Sequence, residues 1–339
     1  MTEPILEVRN LRVGFRTEHG TVRAVDDVSF TVGDREIVSI VGESGSGKSV
    51  SLLALMGLIR DPNAVIEGSI RFRGTELIGM DERDLRRLRG GAIAMIFQDP
   101  MTALTPVYTI GRQIAEQVRI HRRVCRRAAT SRAVELLEQV GIPDPAGTAK
   151  RFPHELSGGM RQRAVIAMAL SCDPSLLLAD EPTTALDVTV QAQILALIRR
   201  LRDEFGSSVI LITHDMGVVA ETAEQVAVMY AGRIVERAAT GAIFAEPRHP
   251  YTWGLLGSIP PLEGDRPHRL PSIQGLPPSL LALPPGCAFA PRCAWARQAC
   301  SVRPDLVGDD RHRAACVLDA AEREAARASL PQFARDRAA

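Results

Sequence analysis

Short apolar runs alternating with longer helical stretches mark this chain as α/β, with a mostly parallel sheet covered by helices on both faces. Two further observations point the same way. One apolar run ends in a glycine-rich loop that opens directly into a helix. No segment recurs with the period of about 20 to 50 residues that marks a solenoid or propeller. At 339 residues the chain can bury one large α/β core and carry an appendage besides. Lys and Arg total 41 against 40 Asp and Glu, leaving a net charge of +1, and 45% of residues are hydrophobic, so a basic nucleic-acid tail, an acidic disordered chain and a collagen-like fibre are all excluded. The first residues lack the basic and apolar regions of a signal peptide, and no apolar run approaches the ~18 residues of a membrane span, so the chain is expected in the cytosol.

In chain order, residues 5–9 and 28–32 alternate apolar and polar as half-buried strands do. Ile37 to Val41 is a buried strand running into Gly42-Glu-Ser-Gly-Ser-Gly-Lys-Ser49, and a helix is expected from Val50 to Ile59. Further buried strands are expected at 93–97, 176–179, 209–213 and 225–230, with helices at about 112–140, 159–172 and 188–205. From Phe244 the texture changes, because ten prolines fall between Pro247 and Pro285. Such a density forbids long helices and central strands, so residues 1–243 read as the main domain and 244–339 as a connector leading to a small cysteine-bearing module. Residues 318–339, rich in Ala, Arg and Glu, read as a frayed helix or tail.

The chemistry starts at the glycine-rich loop. Gly42, Glu43, Ser44, Gly45, Ser46 and Gly47, all small but for Glu43, stand where backbone N–H groups converge on phosphate oxygens, Lys48 reaches the β and γ phosphates, and Ser49 offers a hydroxyl to Mg²⁺. Only two of the basic residues are lysine, Lys48 and Lys150, and one of them stands here. Leu176 to Glu181 is an apolar strand ending in two carboxylates, suited to hold Mg²⁺ through Asp180 and to orient or deprotonate water through Glu181. Ser157 with Gly158 and Gly159 forms a second anion-binding helix start. Two separate phosphate-grasping devices on one chain suggest that two chains share each nucleotide.

The loop Gly42 to Ser49, Leu156-Ser-Gly-Gly-Met160 and Leu176 to Asp187 together resemble the defining motifs of ABC ATPase subunits, over residues 5–235. The resemblance implies a RecA-like, mostly parallel core, an antiparallel β subdomain and an inserted helical subdomain at about 99–165. It also implies roles: Gln98 touching Mg²⁺ and reporting to a transmembrane partner, Asp187 in the loop after the catalytic strand, His214 contacting the γ-phosphate, Phe15 stacking on adenine, and Glu181 as the catalytic glutamate. ATP and Mg²⁺ are the implied cofactors, and ATP would be sandwiched between Lys48 of one chain and Ser157 and Gly159 of another.

Cys287, Cys293, Cys300 and Cys316 are separated by gaps of five, six and fifteen residues, which fit neither zinc-ribbon nor ferredoxin spacing. Four thiolates still suit one metal or cluster, with zinc and iron–sulfur both open. Cys125 and Cys172 read as buried small side chains. His249-Pro-Tyr-Thr252, the proline-rich segment and the motif Gly286 to Cys293 are similar to the C-terminal region of ATP-binding subunits of dipeptide and oligopeptide importers. That similarity implies a [4Fe-4S] cluster on the four cysteines, and peptide uptake together with a second ABC ATPase subunit, two transmembrane permeases and an extracytoplasmic peptide-binding protein, on the cytoplasmic face of the membrane and with no nucleic-acid partner. A soluble ABC ATPase acting outside transport, or an importer of another solute, is the alternative.

Overall fold

The computed structural model describes residues 3–184, 187–259, 272–330 and 333. Two sheets organise them. The antiparallel sheet has the order β2-β1-β4-β5, from β1 (Leu6–Thr17), β2 (Gly20–Val32), β4 (Ala64–Phe72) and β5 (Thr75–Glu76). The larger sheet has the order β11-β12-β10-β9-β3-β8-β7-β6, from β3 (Ile37–Val41), β6 (Ile93–Ile96), β7 (Leu176–Asp180), β8 (Ser208–Thr213), β9 (Gln225–Tyr230), β10 (Arg233–Ala239), β11 (Val307–Gly308) and β12 (His312–Ala314). Its centre, β9-β3-β8-β7-β6, is parallel throughout.

β3, β7 and β8 are buried along their whole length, as strands covered on both faces must be. Alternate residues of β8 serve different cores. Val209 and Leu211 pack with Ile114, Leu137 and Ile166 of the helical segment, while Ile210 and Ile212 face a cluster that includes Leu6, Val25 and Phe30 of the antiparallel sheet. The two-residue period of the strand thus joins helices on one face to the β layer on the other. The expected helix over 112–140 is two helices, Ile110–Arg122 and Arg126–Gln139, because Arg123 takes a left-handed conformation at φ 52° and ends the first. No glycine or proline signals that break. β4 escapes sequence patterning because Glu67-Gly68-Ser69 interrupts its alternation. There an added Cβ on Gly68 would stand 2.6 Å from the Asn10 carbonyl oxygen, beside the register shift between Arg9 and Arg12.

The residues beyond 244 pack on the main body. Pro250 occupies the first turn of the helix Pro250–Gly257, where its missing N–H costs nothing. Trp253 of that helix is fully buried, donates its indole N–H to the Pro247 carbonyl at 2.8 Å and meets Trp295 edge to face at 5.0 Å. β12 pairs antiparallel with β10, so the cysteine-bearing region extends the main sheet. The fully buried Glu236 on β10 accepts the backbone N–H groups of Arg248 and His249 and faces the His312 ring nitrogen at 2.7 Å. Residues 320–328 form a helix opened by a reciprocal Asp319/Glu322 cap. Residues 260–271 of the proline-rich connector and 334–339 of the tail lie outside the described residues. Cys172 is partly buried, whereas Cys125 precedes a helix on the exposed surface, contrary to the burial expected for it.

Leu211 has no exposed surface and packs against the helical face. Leu211→Ala should therefore cost about 2–5 kcal/mol, read as a lower urea midpoint at unchanged m-value.

Candidate nucleotide site and cysteine cavity

β3 feeds the chain into the loop Gly42 to Ser49, which fits only because two positions lack a side chain. At Gly42, with φ 156°, an added Cβ would stand 2.1 Å from the Met229 carbonyl oxygen. At Gly47, with φ 102°, it would stand 2.2 Å from the Ala24 carbonyl oxygen. Ser44 and Gly45 form the exposed tip, and the buried Ser46 hydroxyl makes no hydrogen bond. Gly47 caps the helix Lys48–Leu55, so the loop's N–H groups and the positive end of the helix converge.

The buried Lys48 bends back, its Nζ donating to the carbonyls of Gly42 at 2.7 Å and Glu43 at 2.9 Å. Burial lowers its pKa, against the opposing pull of Glu181, Asp180 and Glu43. The Ser49 hydroxyl donates to Asp180 Oδ1 at 3.0 Å, across 131 positions of sequence, and burial raises the Asp180 pKa. A hydroxyl and a carboxylate facing each other are the oxygen donors a hard cation takes.

Glu181 follows at the end of β7 with φ 47°, a strained left-handed conformation for a non-glycine residue. Its N–H is held by the Ile212 carbonyl at 3.0 Å. Its carboxylate accepts Gln98 Nε2 at 3.1 Å and the Thr184 hydroxyl at 2.8 Å, with His214 Nδ1 at 3.5 Å. Six of the sequence-predicted residues, Lys48, Ser49, Gln98, Asp180, Glu181 and His214, thus come together, and Thr184 joins them unanticipated. Others stand apart from this hydrogen-bonded group. Ser157 caps the helix Gly158–Ala169 and lines, with Gly159, Arg163 and Val190, a separate open groove. Asp187 caps the helix Val188–Phe205 by accepting Val190 N–H at 2.9 Å. Phe15 lies on β1 opposite Val22 and Ala64, half buried against the β-layer core.

The four C-terminal cysteines, all free, line one small cavity with His249, Phe289 and Trp295. Burial pushes the thiols of Cys287 and Cys316 up, and that of Cys293 up to about 11. Among the described residues no group of three or more His, Cys, Asp or Glu side chains is arranged to hold a metal ion.

Two family models match the chain: "ABC transporter" over residues 25–184, and "Oligopeptide/dipeptide transporter, C-terminal region" over residues 235–300. A putative peptide import ATP-binding protein of Brucella melitensis is 53% identical over 323 residues, covering 91% of this chain and 95% of its own length. The chain belongs to the ATP-binding proteins of the ABC transporter family. The oligopeptide transport ATP-binding protein OppD of Mycobacterium tuberculosis is 54% identical over 318 residues, and there the match spans 93% of this chain but about half, 52%, of the relative. Among solved structures, the dimeric post-hydrolysis state of the ATP-binding cassette MJ0796 bound to ADP and Pi is 27% identical with a TM-score of 0.63, covering 69% of this chain and 98% of that one. A cbiO1 protein of Clostridium perfringens, part of an ABC transporter complex, is 26% identical with a TM-score of 0.61, covering 72% of this chain and 92% of that one.

In this ABC cassette the C-terminal region touches the loop Gly42 to Ser49 itself. The Tyr251 hydroxyl accepts the backbone N–H of Glu43 at 2.7 Å, and Arg292 forms a two-point ion pair with the Glu43 carboxylate. Both side chains lie in segments that read from sequence only as family markers, since nothing local connects position 292 with position 43. Gly47→Ala should weaken MgATP binding at least about tenfold, because a methyl group cannot occupy the space beside the Ala24 carbonyl; isothermal titration calorimetry measures it.

Proposed function

We propose that this chain binds and hydrolyses ATP in a cassette dimer and thereby energises import of dipeptides or oligopeptides. The observation that carries this reading is the convergence of Gln98, Thr184 and His214 on the strained Glu181, beside the Ser49–Asp180 pair and Lys48. The loop amides and Lys48 hold the triphosphate, Lys48 exchanging its carbonyl partners for phosphate oxygens. Mg²⁺ held by Ser49, Gln98 and Asp180 supplies charge neutralisation at the phosphate oxygens. Glu181 orients the attacking water and accepts its proton, and His214 senses the γ-phosphate from the same carboxylate. Phe15 stacks on the adenine.

Ser157, Gly158 and Gly159 lie outside that group, so a second copy or a related cassette completes the site with its own helix start, and Asp187 stands in the loop joining the halves. The dimeric form of the MJ0796 cassette supports this arrangement. No helix among the described residues is long and apolar enough to cross a membrane. In this reading two permease subunits carry the membrane passage, with the cassette peripheral on the cytoplasmic face, the segment at about 99–165 receiving the permease, and an extracytoplasmic binding protein delivering peptide.

Cys287, Cys293, Cys300 and Cys316 hold a [4Fe-4S] cluster that staples the C-terminal region to the cassette. The donor set supports it: four free thiols line one small cavity, and burial disfavours the charged forms of Cys287, Cys293 and Cys316 unless a cation stabilises them.

Glu181→Gln should keep MgATP affinity while multiple-turnover hydrolysis falls by about 10²–10⁴, and a variant that still turns over freely removes Glu181 from the role. Anaerobically purified protein should contain about four irons and matching acid-labile sulfide per chain, lost with its visible absorption in Cys293→Ser. Zinc or no metal would overturn the cluster and leave the ATP site untouched.

A further inference from the structure

The phosphate loop carries a carboxylate, Glu43, directly after Gly42. A fixed negative charge in that loop opposes the triphosphate that the loop amides and Lys48 attract. The C-terminal region answers it with Arg292, whose Nη1 donates to Glu43 Oε2 at 2.6 Å and Nη2 to Oε1 at 3.0 Å. The Arg292 side chain is only 5% exposed, against 28% for Glu43. It is held from several sides, donating to the Gln274 carbonyl at 2.9 Å and the Tyr230 hydroxyl at 3.3 Å, with its guanidinium 5.9 Å from the ring centres of Tyr230 and Phe289. A guanidinium fixed this way is an oriented counter-charge for one carboxylate, unlike a surface pair free to exchange partners.

We propose that Arg292 is a positioning residue for the nucleotide, neutralising Glu43 and holding its carboxylate on the C-terminal side of the phosphate loop. The proposal rests on the reading of Gly42 to Ser49 as the triphosphate site. Tyr251 completes the clamp by fixing the backbone of the same residue. The C-terminal region thus takes part in nucleotide binding through charge, and the segment that carries the counter-charge is the one that carries Cys287 and Cys293.

The test is equilibrium binding of MgATP and MgADP to the full chain. Arg292→Gln, close in length but neutral, should weaken MgATP about tenfold and MgADP less, since the diphosphate carries less negative charge, and the loss should shrink as salt rises. In hydrolysis the same variant should raise KM with kcat changed less than about twofold. Arg292→Lys, which keeps the charge, should stay within about threefold of the parent. The decisive variant is Arg292→Gln combined with Glu43→Gln, which removes both charges and should restore MgATP affinity to within about twofold. Equal affinities for the lysine and glutamine variants, or a double variant as weak as Arg292→Gln alone, would reduce Arg292 to a packing residue and overturn the proposal. Lys48→Ala in the same assay separates the two readings. If it binds MgATP normally, the loop assignment itself fails; if it loses MgATP while Arg292→Gln does not, only the role of Arg292 falls.

Discussion

The close approach of backbone to backbone at Gly42 and Gly47 is the constraint on which the site depends. The loop lies against a carbonyl of β9 on one side and a carbonyl of β2 on the other, with no room for a single methyl group at either contact. That contact ties the parallel sheet, the antiparallel sheet and the first helix into one body, and it turns the loop amides inward as a set. Everything the site does with anions follows from having those donors fixed before a ligand arrives.

Around that loop the charges are arranged in opposition. Lys48 is buried beside Asp180 and near Glu181, so desolvation weakens its charged form while the two carboxylates stabilise it. Asp180 is likewise held between a burial penalty and the Ser49 hydroxyl. Such a group has its donors and acceptors pointed at one another, and a polyanion with its cation can exchange those internal contacts without reorganising the backbone. The left-handed Glu181 adds local strain at the one carboxylate that gathers Gln98, Thr184 and His214.

Much of this was readable in the sequence, for reasons that are local. The strands β3, β7, β8 and β9 are mostly apolar runs, and Gln98, Asp180, Glu181 and His214 sit at or just after strand ends, so a short window carries the information. What escaped was long-range or conformational. The break at Arg123 has no glycine or proline to announce it, and β4 loses its alternation to a bulge made by contact with Asn10. Thr184 was hidden inside a motif that was read for its neighbours. Arg292 meets Glu43 across 249 positions, and that pairing exists only once the C-terminal region has docked. The proline-rich stretch marks a change of texture in the sequence, but its composition could not tell that β12 returns to the sheet.

That return has a consequence for how the chain is made. β10 presents its outer edge, and the buried Glu236 its Oε1, to residues 312–314, which leave the ribosome more than seventy positions later. Until then the sheet has an open hydrogen-bonding edge, the kind of surface that recruits foreign strands. The nascent cassette is therefore most exposed to aggregation in the interval between completing β10 and delivering β12, and chaperone demand would concentrate there. A chain cut between the end of β10 at Ala239 and the start of β12 at His312 would lack the strand that covers that edge.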